Sequence, residues 1–312
     1  MAKIVVVGSY NMDLVVRMPA IPRPGETLLG GVFATFPGGK GSNQAVAAAR
    51  LGGEVTMIGR VGSDAFGDQL RQMAREEGID TTFVGVDQEA ATGVALITVD
   101  AQGQNSISVA SGANFTLKAE AVRNAFEQLT EIDLLVMPLE TPMDTIVTAA
   151  ELARQRGARV VLNPAPAQHL SAELLNYVDV LIPNEFEAAF ISGIEIHSIQ
   201  DAHQAAASLL QSGPGSVIIT MGSQGALIAV LAEPEIVYTQ TKAFPVQAVD
   251  TTAAGDAFVG ALAVALGEGS SLIEAAHFAN AAAAISVTRL GAQPSLPYRV
   301  EVDNFRKNRS LS

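Results

Sequence analysis

The stretch Val249-Asp250-Thr251-Thr252-Ala253-Ala254-Gly255-Asp256-Ala257-Phe258 is the most informative part of this chain for both fold and chemistry. Residues 253–255 carry almost no side chain, and the apolar run at 258–266 predicts a helix that opens at them. Backbone N–H groups at such a helix N-terminus attract anions such as phosphate. Asp256 would lie in the first turn, where the helix dipole favours its ionised form and where it could accept a hydroxyl proton. The stretch therefore favours phosphoryl-transfer chemistry.

A second glycine-rich stretch supports this interpretation. An Asp in a first helical turn is often only a favourable dipole partner, and for residues 249–258 alone that alternative would be preferred. However, Phe36-Pro37-Gly38-Gly39-Lys40-Gly41-Ser42-Asn43-Gln44 precedes good helix formers at 45–51. Two such turns indicate a site with two anionic or polar ends. The dinucleotide fingerprint G-x-G-x-x-G is absent, and the Walker fingerprint is absent because Gly41, not Ser or Thr, follows Lys40. NAD-dependent and Walker-type sites are therefore disfavoured.

Composition and charge narrow the possible partners. The 312 residues are 48% hydrophobic and 16% charged, which predicts a folded chain with a sizeable core. Nineteen basic against 32 acidic residues give a net charge of −13, which repels nucleic acids and anionic membranes. We therefore expect neither as a partner. The absence of cysteine excludes disulfides and thiolate metal sites, and it suits a cytoplasmic protein.

The sequence carries no signal for membrane targeting or for zinc binding. The chain starts directly with a strand pattern at 4–7 rather than a signal peptide, and no apolar run approaches the roughly 18 residues of a membrane-spanning helix. The four histidines lack ligand spacing, so we expect no zinc site. They are His169, His197, His203 and His277.

Short apolar runs alternate with helical patterns along the chain. The predicted strands are 4–7, 55–61, 134–137, 160–162, 178–182 and 217–220. The predicted helices are 41–51, 64–77, 117–129, 143–156, 202–211, 255–266 and 272–287. Continuous apolar strands separated by helices are typical of a parallel sheet covered on both faces. The chain is thus predicted to be α/β, doubly wound, with a mostly parallel central sheet and helices on both faces. No flexible linker is evident, so we predict a single domain over 1–312.

Two regions interrupt this rhythm, at about 13–36 and 92–110. Both are rich in β-type residues and contain turn signals. Strand pairs inserted near the ends of the first core strands would form a small separate sheet, which we interpret as a lid over the site.

Polar residues follow several predicted strands, where open α/β sheets bind ligands. Asn11 and Asp13 follow the first strand, and they could bind vicinal sugar hydroxyls together with Lys40 and Asn43. An Asx-type turn is a serious alternative for Asn11 and Asp13. Glu140 could equally be an exposed loop charge.

The stretch Asn184-Glu185-Phe186-Glu187 has two compatible interpretations. An Asn with a Glu three residues later is close to a helix capping box, and the same two side chains could serve a ligand site. Thr220-Met221-Gly222 follows the next predicted strand and adds polar groups at the same edge.

Over essentially its full length, the chain resembles the ribokinase-like carbohydrate kinases. The resemblance rests on a family-type N-terminal signature, residues 38–45, and a C-terminal signature, residues 250–256. Four features are similar to the ribose-phosphorylating members: Asn11-Met12-Asp13, Asn163-Pro164-Ala165-Pro166-Ala167, Ala253-Ala254-Gly255-Asp256 in place of the commoner Gly-Ala-Gly-Asp, and Gly291-Ala292-Gln293-Pro294-Ser295.

The resemblance implies ATP-dependent phosphorylation of D-ribose at its 5-hydroxyl. Asp256 would be the base, and the N–H groups of Ala254 and Gly255, in the turn that begins at Ala253, would form the anion hole. The implied sugar-binding residues are Asn11, Asp13, Gly38, Gly39, Lys40, Asn43, Glu140 and Asp256.

The resemblance also implies cofactor sites. Asn184 and Glu187 would organise Mg²⁺ and the ATP phosphates through water. The implied ATP-binding residues are Thr220, Gly222, Ser223, Gly225, Gly255 and Asn280, with Asn280 near adenine. A monovalent cation, K⁺ in our expectation, would be held by Asp250, Thr252, Ser286, Arg289, Gly291 and Ser295.

Alternatives remain for substrate, activity and assembly. The same chemistry could act on 2-deoxyribose, a ketose or a nucleoside such as adenosine. A non-catalytic sugar sensor is disfavoured because Lys40, Glu187, Gly255 and Asp256 are all present. The alternating segment 14–18 could pair two lid sheets in a homodimer, or it could pack on the lid's own core.

Overall fold

The computed structural model describes residues 1–232 and 234–310. The strands are β1 (Lys3–Val7), β2 (Asn11–Arg17), β3 (Val32–Gly38), β4 (Glu54–Gly62), β5 (Asp80–Asp87), β6 (Gly93–Val99), β7 (Asn105–Ala110), β8 (Leu134–Met137), β9 (Arg159–Leu162), β10 (Val180–Leu181), β11 (Ser216–Thr220), β12 (Ala226–Ala232) and β13 (Glu235–Thr241). The helices are α1 (Lys40–Arg50), α2 (Ala65–Glu76), α3 (Ala119–Gln128), α4 (Met143–Gln155), α5 (Ala172–Tyr177), α6 (Glu185–Ser192), α7 (Ile199–Gln211), α8 (Ala254–Gly267), α9 (Leu272–Ser286) and α10 (Arg299–Ser310). No helix in these two ranges is long and apolar enough to cross a membrane.

Nine strands form the central sheet, in the order β13-β12-β11-β10-β9-β8-β1-β4-β5. The strands from β11 to β5 in this order are parallel, whereas β12 and β13 add antiparallel at one edge. The chain builds outward from β1 through β4 and β5, then returns to place β8 on the other side of β1. The strand order therefore reverses between β1 and β8, which is where such sheets bind ligands.

Both faces of the central sheet are buried, because successive strand residues point to opposite faces. In β1, Ile4 and Val6 belong to the core cluster that contains residues of α1, α2, α8 and α9, whereas Val5 and Val7 belong to the cluster that contains residues of α3, α4 and α7. The continuous apolar strands follow from this double coverage. The predicted fold class is confirmed.

The prediction missed several elements at the margins of the sheet. Strand β5 and edge strand β13 contain many polar residues and are only partly buried, so their hydrophobic signal is weak. The apolar strand β12 was missed because it follows β11 with no α-helix between them and pairs with it antiparallel, so β12 lies outside the repeating strand–helix pattern. The short helix α5 and the polar helix α10 were also missed, and α6 was anticipated only through the capping box proposed for its first turn.

A second sheet of four strands, in the order β3-β2-β6-β7, lies apart from the first. Strand β2 is antiparallel to β3 and parallel to β6, and β6 is antiparallel to β7. The predicted separate sheet is thus confirmed, although its strands begin at Asn11 and end at Gly38 in the first insertion, two residues beyond each predicted bound.

Helices α1 and α8 approach closely because Gly260 lacks a side chain. A Cβ at Gly260 would lie 2.6 Å from the Ala47 Cβ and 2.8 Å from the Gln44 carbonyl oxygen. Both distances are shorter than real Cβ contacts, so only glycine permits this spacing. The close packing brings the start of α8 to the side of α1.

We expect Gly260→Ala to lower the free energy of unfolding by about 1–3 kcal/mol, because the added methyl must push α8 away from α1. Denaturant unfolding followed by circular dichroism measures the change. The control is Gly85→Ala, where the nearest atom to a new Cβ is 3.6 Å away. Equal stability of both variants would contradict the packing argument.

Candidate active site

Side chains from the carboxyl ends of neighbouring strands meet beside the start of α1. Ser9 follows β1, and its hydroxyl donates to Glu140 Oε2, which follows β8. The Lys40 backbone N–H donates to the same oxygen at 3.0 Å. Glu140 is therefore a half-buried group that joins the two strands at the switch point and accepts from the first turn of α1. The alternative of an exposed loop charge is wrong.

Asn11 and Asp13 lie in the small sheet rather than in a turn. Both are buried in β2, where Asn11 pairs with Gly38 and Asp13 pairs with Phe36 of β3. The Asx-turn alternative is therefore wrong for them. Asn11 Oδ1 also accepts from Asn114 Nδ2 at 2.9 Å, which fixes the orientation of its amide.

Helix α1 begins through a backbone conformation that favours glycine. Gly39 is its N-cap residue with φ of 89°, in the left-handed region that other residues rarely adopt. A Cβ there would lie 2.7 Å from the Asn11 backbone nitrogen. The glycine thus lets the start of α1 lie directly against β2.

Asp256 is the buried centre of the site, with 5% of its surface exposed. It lies in the first turn of α8 and accepts two hydrogen bonds from consecutive residues of α1. Asn43 Nδ2 donates to Oδ2 and Gln44 Nε2 donates to Oδ1, each at 3.0 Å. Both carboxylate oxygens are thus held by amides.

Charge and burial act against each other around Asp256. Burial raises the pKa of Asp256, whereas the Lys40 ammonium and the two amides lower it. Burial lowers the pKa of Lys40, but the charges of Asp256, Glu140 and Glu187 outweigh this and leave that pKa raised. Burial raises the pKa of Asp13 to about 7, with Glu140 and Asp256 adding to the effect. The site thus combines one cation with several carboxylates.

The turn before α8 contains the one non-glycine residue with positive φ in 1–232 and 234–310. Ala253 has φ 60° and ψ 10° and is the N-cap of α8. Such a conformation is costly for a residue with a Cβ and is concentrated at functional sites. The Ala254 N–H donates to the Thr251 carbonyl at 3.2 Å. Gly255 has open space beside it, since a Cβ there would meet nothing within 4 Å.

Two cavities meet at this turn. The smaller, of about 180 Å³, is lined by Lys40, Asn163, Glu187 and Asp256 among others. The larger, of about 960 Å³, is lined mainly by apolar residues, and includes Phe186, Phe244 and Phe258. Residues common to both are Asn184, Thr220, Thr251 and Gly255. An apolar cleft that narrows to a polar cavity suits a ligand with a flat ring at one end and an anionic group at the other.

The implied nucleotide residues line the larger cavity. They are Asn184, Thr220, Gly222, Ser223, Gly225, Gly255 and Asn280. The Asn280 amide nitrogen donates to the Thr241 carbonyl and hydroxyl and to the Lys242 carbonyl. Glu187 lines the smaller cavity instead. Six of the implied sugar-binding residues line neither cavity: Asn11, Asp13, Gly38, Gly39, Asn43 and Glu140. Of these, Asn11, Asp13 and Gly38 lie in the small sheet, and Asn43 bonds Asp256.

Asn184 and Glu187 form the capping box of α6. Asn184 Oδ1 accepts from the Glu187 N–H, and Glu187 Oε2 accepts from the Asn184 N–H, both at 2.8 Å. Burial also raises the pKa of Glu187. The capping interpretation is confirmed, and it is compatible with a ligand role because Glu187 lines the smaller cavity.

The implied cation residues come together after α9. Asp250 Oδ1 accepts from the Thr252 N–H and hydroxyl, and Oδ2 accepts from the Gly291 N–H at 3.0 Å. These bonds outweigh burial and hold the pKa of Asp250 below its usual range. The Ser286 and Ser295 hydroxyls lie 2.9 Å apart, whereas the Arg289 guanidinium pairs with Glu301 instead. Carboxylate, hydroxyl and carbonyl oxygens are suitable ligands for a hard cation.

Sequence reasoning assigned no role to several residues that contact the site. Gln44 bonds Asp256, Ser9 bonds Glu140, and Asn163 and Thr251 line the smaller cavity. Gln44 and Asn163 lie within the stretches that carry the family resemblance. Their position in these stretches is the sequence signal that could have identified them.

Comparisons with known proteins identify the family of this chain. The model of the pfkB family carbohydrate kinases matches residues 1–299. The ribokinase of Haemophilus influenzae is 46% identical over 300 residues, which cover 96% of this chain and 97% of that protein. The deoxyribokinase of Salmonella typhi is 37% identical over 310 residues, 99% of each chain. The structure of Arabidopsis thaliana ribokinase with ribose and ATP superposes with a TM-score of 0.88 at 33% identity, over 98% of this chain and 99% of that one. The chain therefore belongs to the pfkB family of carbohydrate kinases.

Proposed function

We propose that this kinase transfers the γ-phosphoryl group of ATP to the 5-hydroxyl of D-ribose, giving ribose 5-phosphate and ADP. The observation that carries the proposal is the buried Asp256 carboxylate at the start of α8, in a polar cavity that opens into a large apolar cleft. The ribokinases among its relatives, and the neighbour that binds ribose and ATP, support the choice of substrates.

Asp256 acts as the general base. It takes the proton of the 5-hydroxyl as that oxygen forms its bond to the γ-phosphorus, and the bond from phosphorus to the bridging oxygen of ADP breaks. Lys40 and the N–H groups of Ala254 and Gly255, held by the Ala253 turn, stabilise the charge on the transferred group. Because the Ala254 N–H already donates to Thr251, the Gly255 N–H is the more available donor.

The sugar binds between the small sheet and α1, which makes the small sheet a lid. Asn11, Asp13 and Asn43 supply acceptors and donors for the ribose hydroxyls, with Gly38, Gly39 and Lys40 beside them. Glu140 contributes by holding the start of α1, because its Oε2 already accepts from Ser9 and from the Lys40 N–H. The buried amides and carboxylates favour a sugar that satisfies all of them.

ATP binds in the larger cavity, with adenine near Asn280 and the phosphates near Thr220, Gly222, Ser223 and Gly225. The Asn280 nitrogen is already bonded to protein, which leaves its carbonyl oxygen to accept from the adenine amine. Asn184 and Glu187 would hold Mg²⁺ through water, in keeping with the oxygen donors that this ion prefers. When bound, Mg²⁺ neutralises phosphate charge.

A monovalent cation, K⁺ in our proposal, binds beside the turn that precedes α8. Asp250, Ser295 and the carbonyl groups of Thr252, Ser286, Arg289 and Gly291 supply its oxygens. Since Asp250 already links the Thr252 and Gly291 backbones, the ion would stiffen the segment that leads to Ala253 without contacting substrate.

We also propose a cytoplasmic homodimer formed through the lid sheet. Phe33 and Leu96 are 61% and 54% exposed. Strand register places both on one face with Leu14 and Val16, opposite the face of Asp13. Pairing of two such faces would remove this apolar surface from water.

Asp256→Asn should lower turnover by about 10²–10⁴-fold while ribose binding changes little, because the amide keeps the shape but cannot accept the proton. ADP release and ribose calorimetry measure the two effects. Asp68→Asn is the control, since Asp68 occupies the first turn of α2 and is exposed. Near-normal turnover of Asp256→Asn would mean that another group is the base.

Turnover with ribose should exceed turnover with 2-deoxyribose by about tenfold or more, because a missing hydroxyl leaves buried polar groups unpaired. It should also be higher in K⁺ than in Na⁺. ADP release from Mg-ATP across ribose, 2-deoxyribose, fructose and adenosine measures both. A preference for 2-deoxyribose would retain the mechanism and replace the substrate, whereas tight ribose binding without ADP would favour a sensor.

The double variant Phe33→Glu and Leu96→Glu should be monomeric, because four carboxylates would have to be buried in the paired lids. Light scattering coupled to size exclusion measures the mass. Val237→Glu, an exposed apolar site (52%) on edge strand β13, is the control and should remain dimeric. A wild-type monomer would contradict the dimer.

A further inference from the structure

Gln44 is a fully buried amide that contacts the base but has no place in the mechanism above. It lies in α1 with 0% of its surface exposed. Its Nε2 donates to Asp256 Oδ1 and to Asn163 Oδ1, each at 3.0 Å, while its Oε1 has no hydrogen-bond partner within residues 1–232 and 234–310. Both protons of the side-chain amide are thus donated at the site, and its side-chain oxygen Oε1 accepts no hydrogen bond from the described residues.

A chain of hydrogen bonds fixes which way this amide points. The Ile182 carbonyl can only accept, so Asn163 must present Nδ2 to it, at 2.9 Å. Asn163 Oδ1 therefore faces Gln44. A rotated Gln44 would place Oε1 against two acceptor oxygens, so Nε2 must face them. The Ile182 carbonyl, just after β10, thereby determines that Gln44 presents its Nε2 donor to Asp256.

Packing restrains the backbone that carries Gln44. A Cβ on Gly260 would lie 2.8 Å from the backbone carbonyl oxygen of Gln44, so α8 is in close contact with α1 beside this residue. Asn43 Nδ2 holds the second carboxylate oxygen. The two amides, from consecutive residues, restrain the plane of the Asp256 carboxylate.

We propose that Gln44 is a positioning residue for phosphoryl transfer, which orients the Asp256 carboxylate toward the sugar hydroxyl. The Ile182 carbonyl fixes the orientation of the Asn163 amide, and the Asn163 amide fixes that of Gln44; we call this series of hydrogen bonds the relay. This inference rests on the proposed role of Asp256 as the base. The buried Oε1 of Gln44 lacks a partner in the described part of the chain, which costs free energy, while both protons of its Nε2 are directed at acceptors. This arrangement accords with a function beyond packing.

The role has a consequence for pH dependence. Asp256 faces the ammonium of Lys40, which favours its ionised form, and the carboxylates of Asp13, Glu140 and Glu187, which oppose it. The Gln44 amide lowers the pKa of Asp256 by donating to the charged form. Loss of this donor raises that pKa, so the base becomes protonated at a higher pH and activity is lost earlier as pH falls.

The test compares pH profiles of kcat for Gln44→Met and wild type. We expect the acid limb of the variant to move up by about one pH unit, equivalent to roughly tenfold lower kcat on that limb, with little change in KM for ribose. Thr145→Val is the control, because it removes a buried hydroxyl that bonds the Leu117 carbonyl rather than Asp256 or Gln44. The control should lose stability without moving the acid limb.

Two further variants keep the proposal falsifiable if Gln44→Met folds poorly. Gln44→Glu preserves size and shape but adds a carboxyl, and it should raise the acid limb at least as much as Gln44→Met. Asn163→Leu should move the limb in the same direction, and its effect should not add to that of Gln44→Met, since both break one relay.

The outcomes separate the two proposals. If Asp256→Asn is inactive but both Gln44 variants keep the wild-type acid limb, Gln44 is only structural and the proposed function stands. If Asp256→Asn retains turnover, the assignment of the base fails, and the relay to it fails as well.

Discussion

The burial of one carboxylate between two helices is the constraint on which the site depends. Asp256 is almost removed from water, yet both of its oxygens accept from amides of α1 and Lys40 lies nearby. A buried carboxylate is tolerated only with such partners. The partners reach it because Gly260 lets α8 lie directly against α1. The packing of α8 against α1 therefore also sets the electrostatics of the site.

The topology explains why these two helices meet at a ligand site. The strand order reverses between β1 and β8, and α1 begins beside that reversal, where Glu140 links Ser9 to the Lys40 N–H. Helix α8 arrives from a distant part of the sequence with its N-terminus at the junction of the two cavities. Two helix starts thus face one space from different sides, with the anion-attracting end of each directed toward it.

The strands of the core were predictable because burial on both faces makes them continuously apolar, and the small sheet because its insertions break the strand–helix rhythm. Edge elements were less predictable. Strand β13 is half solvated, so its residues carry no clear pattern. From the sequence, Asn11 and Asp13 allowed an Asx-type turn as well as a sugar-binding role, and only the pairing of β2 with β3 and β6 rules out the turn.

The sequence by itself determined the fold class, the two glycine-rich helix starts, the Asn184 capping box and the family, because each depends on local spacing or on motifs of adjacent residues. The tertiary structure alone decided what surrounds Asp256. Gln44 and Asn163 are 212 and 93 residues away from it, and no local pattern shows that one amide bonds both. Hydrogen bonds and desolvation act through space, so the acidity and orientation of the carboxylate are set only after α1, α8 and the strand ends have packed together.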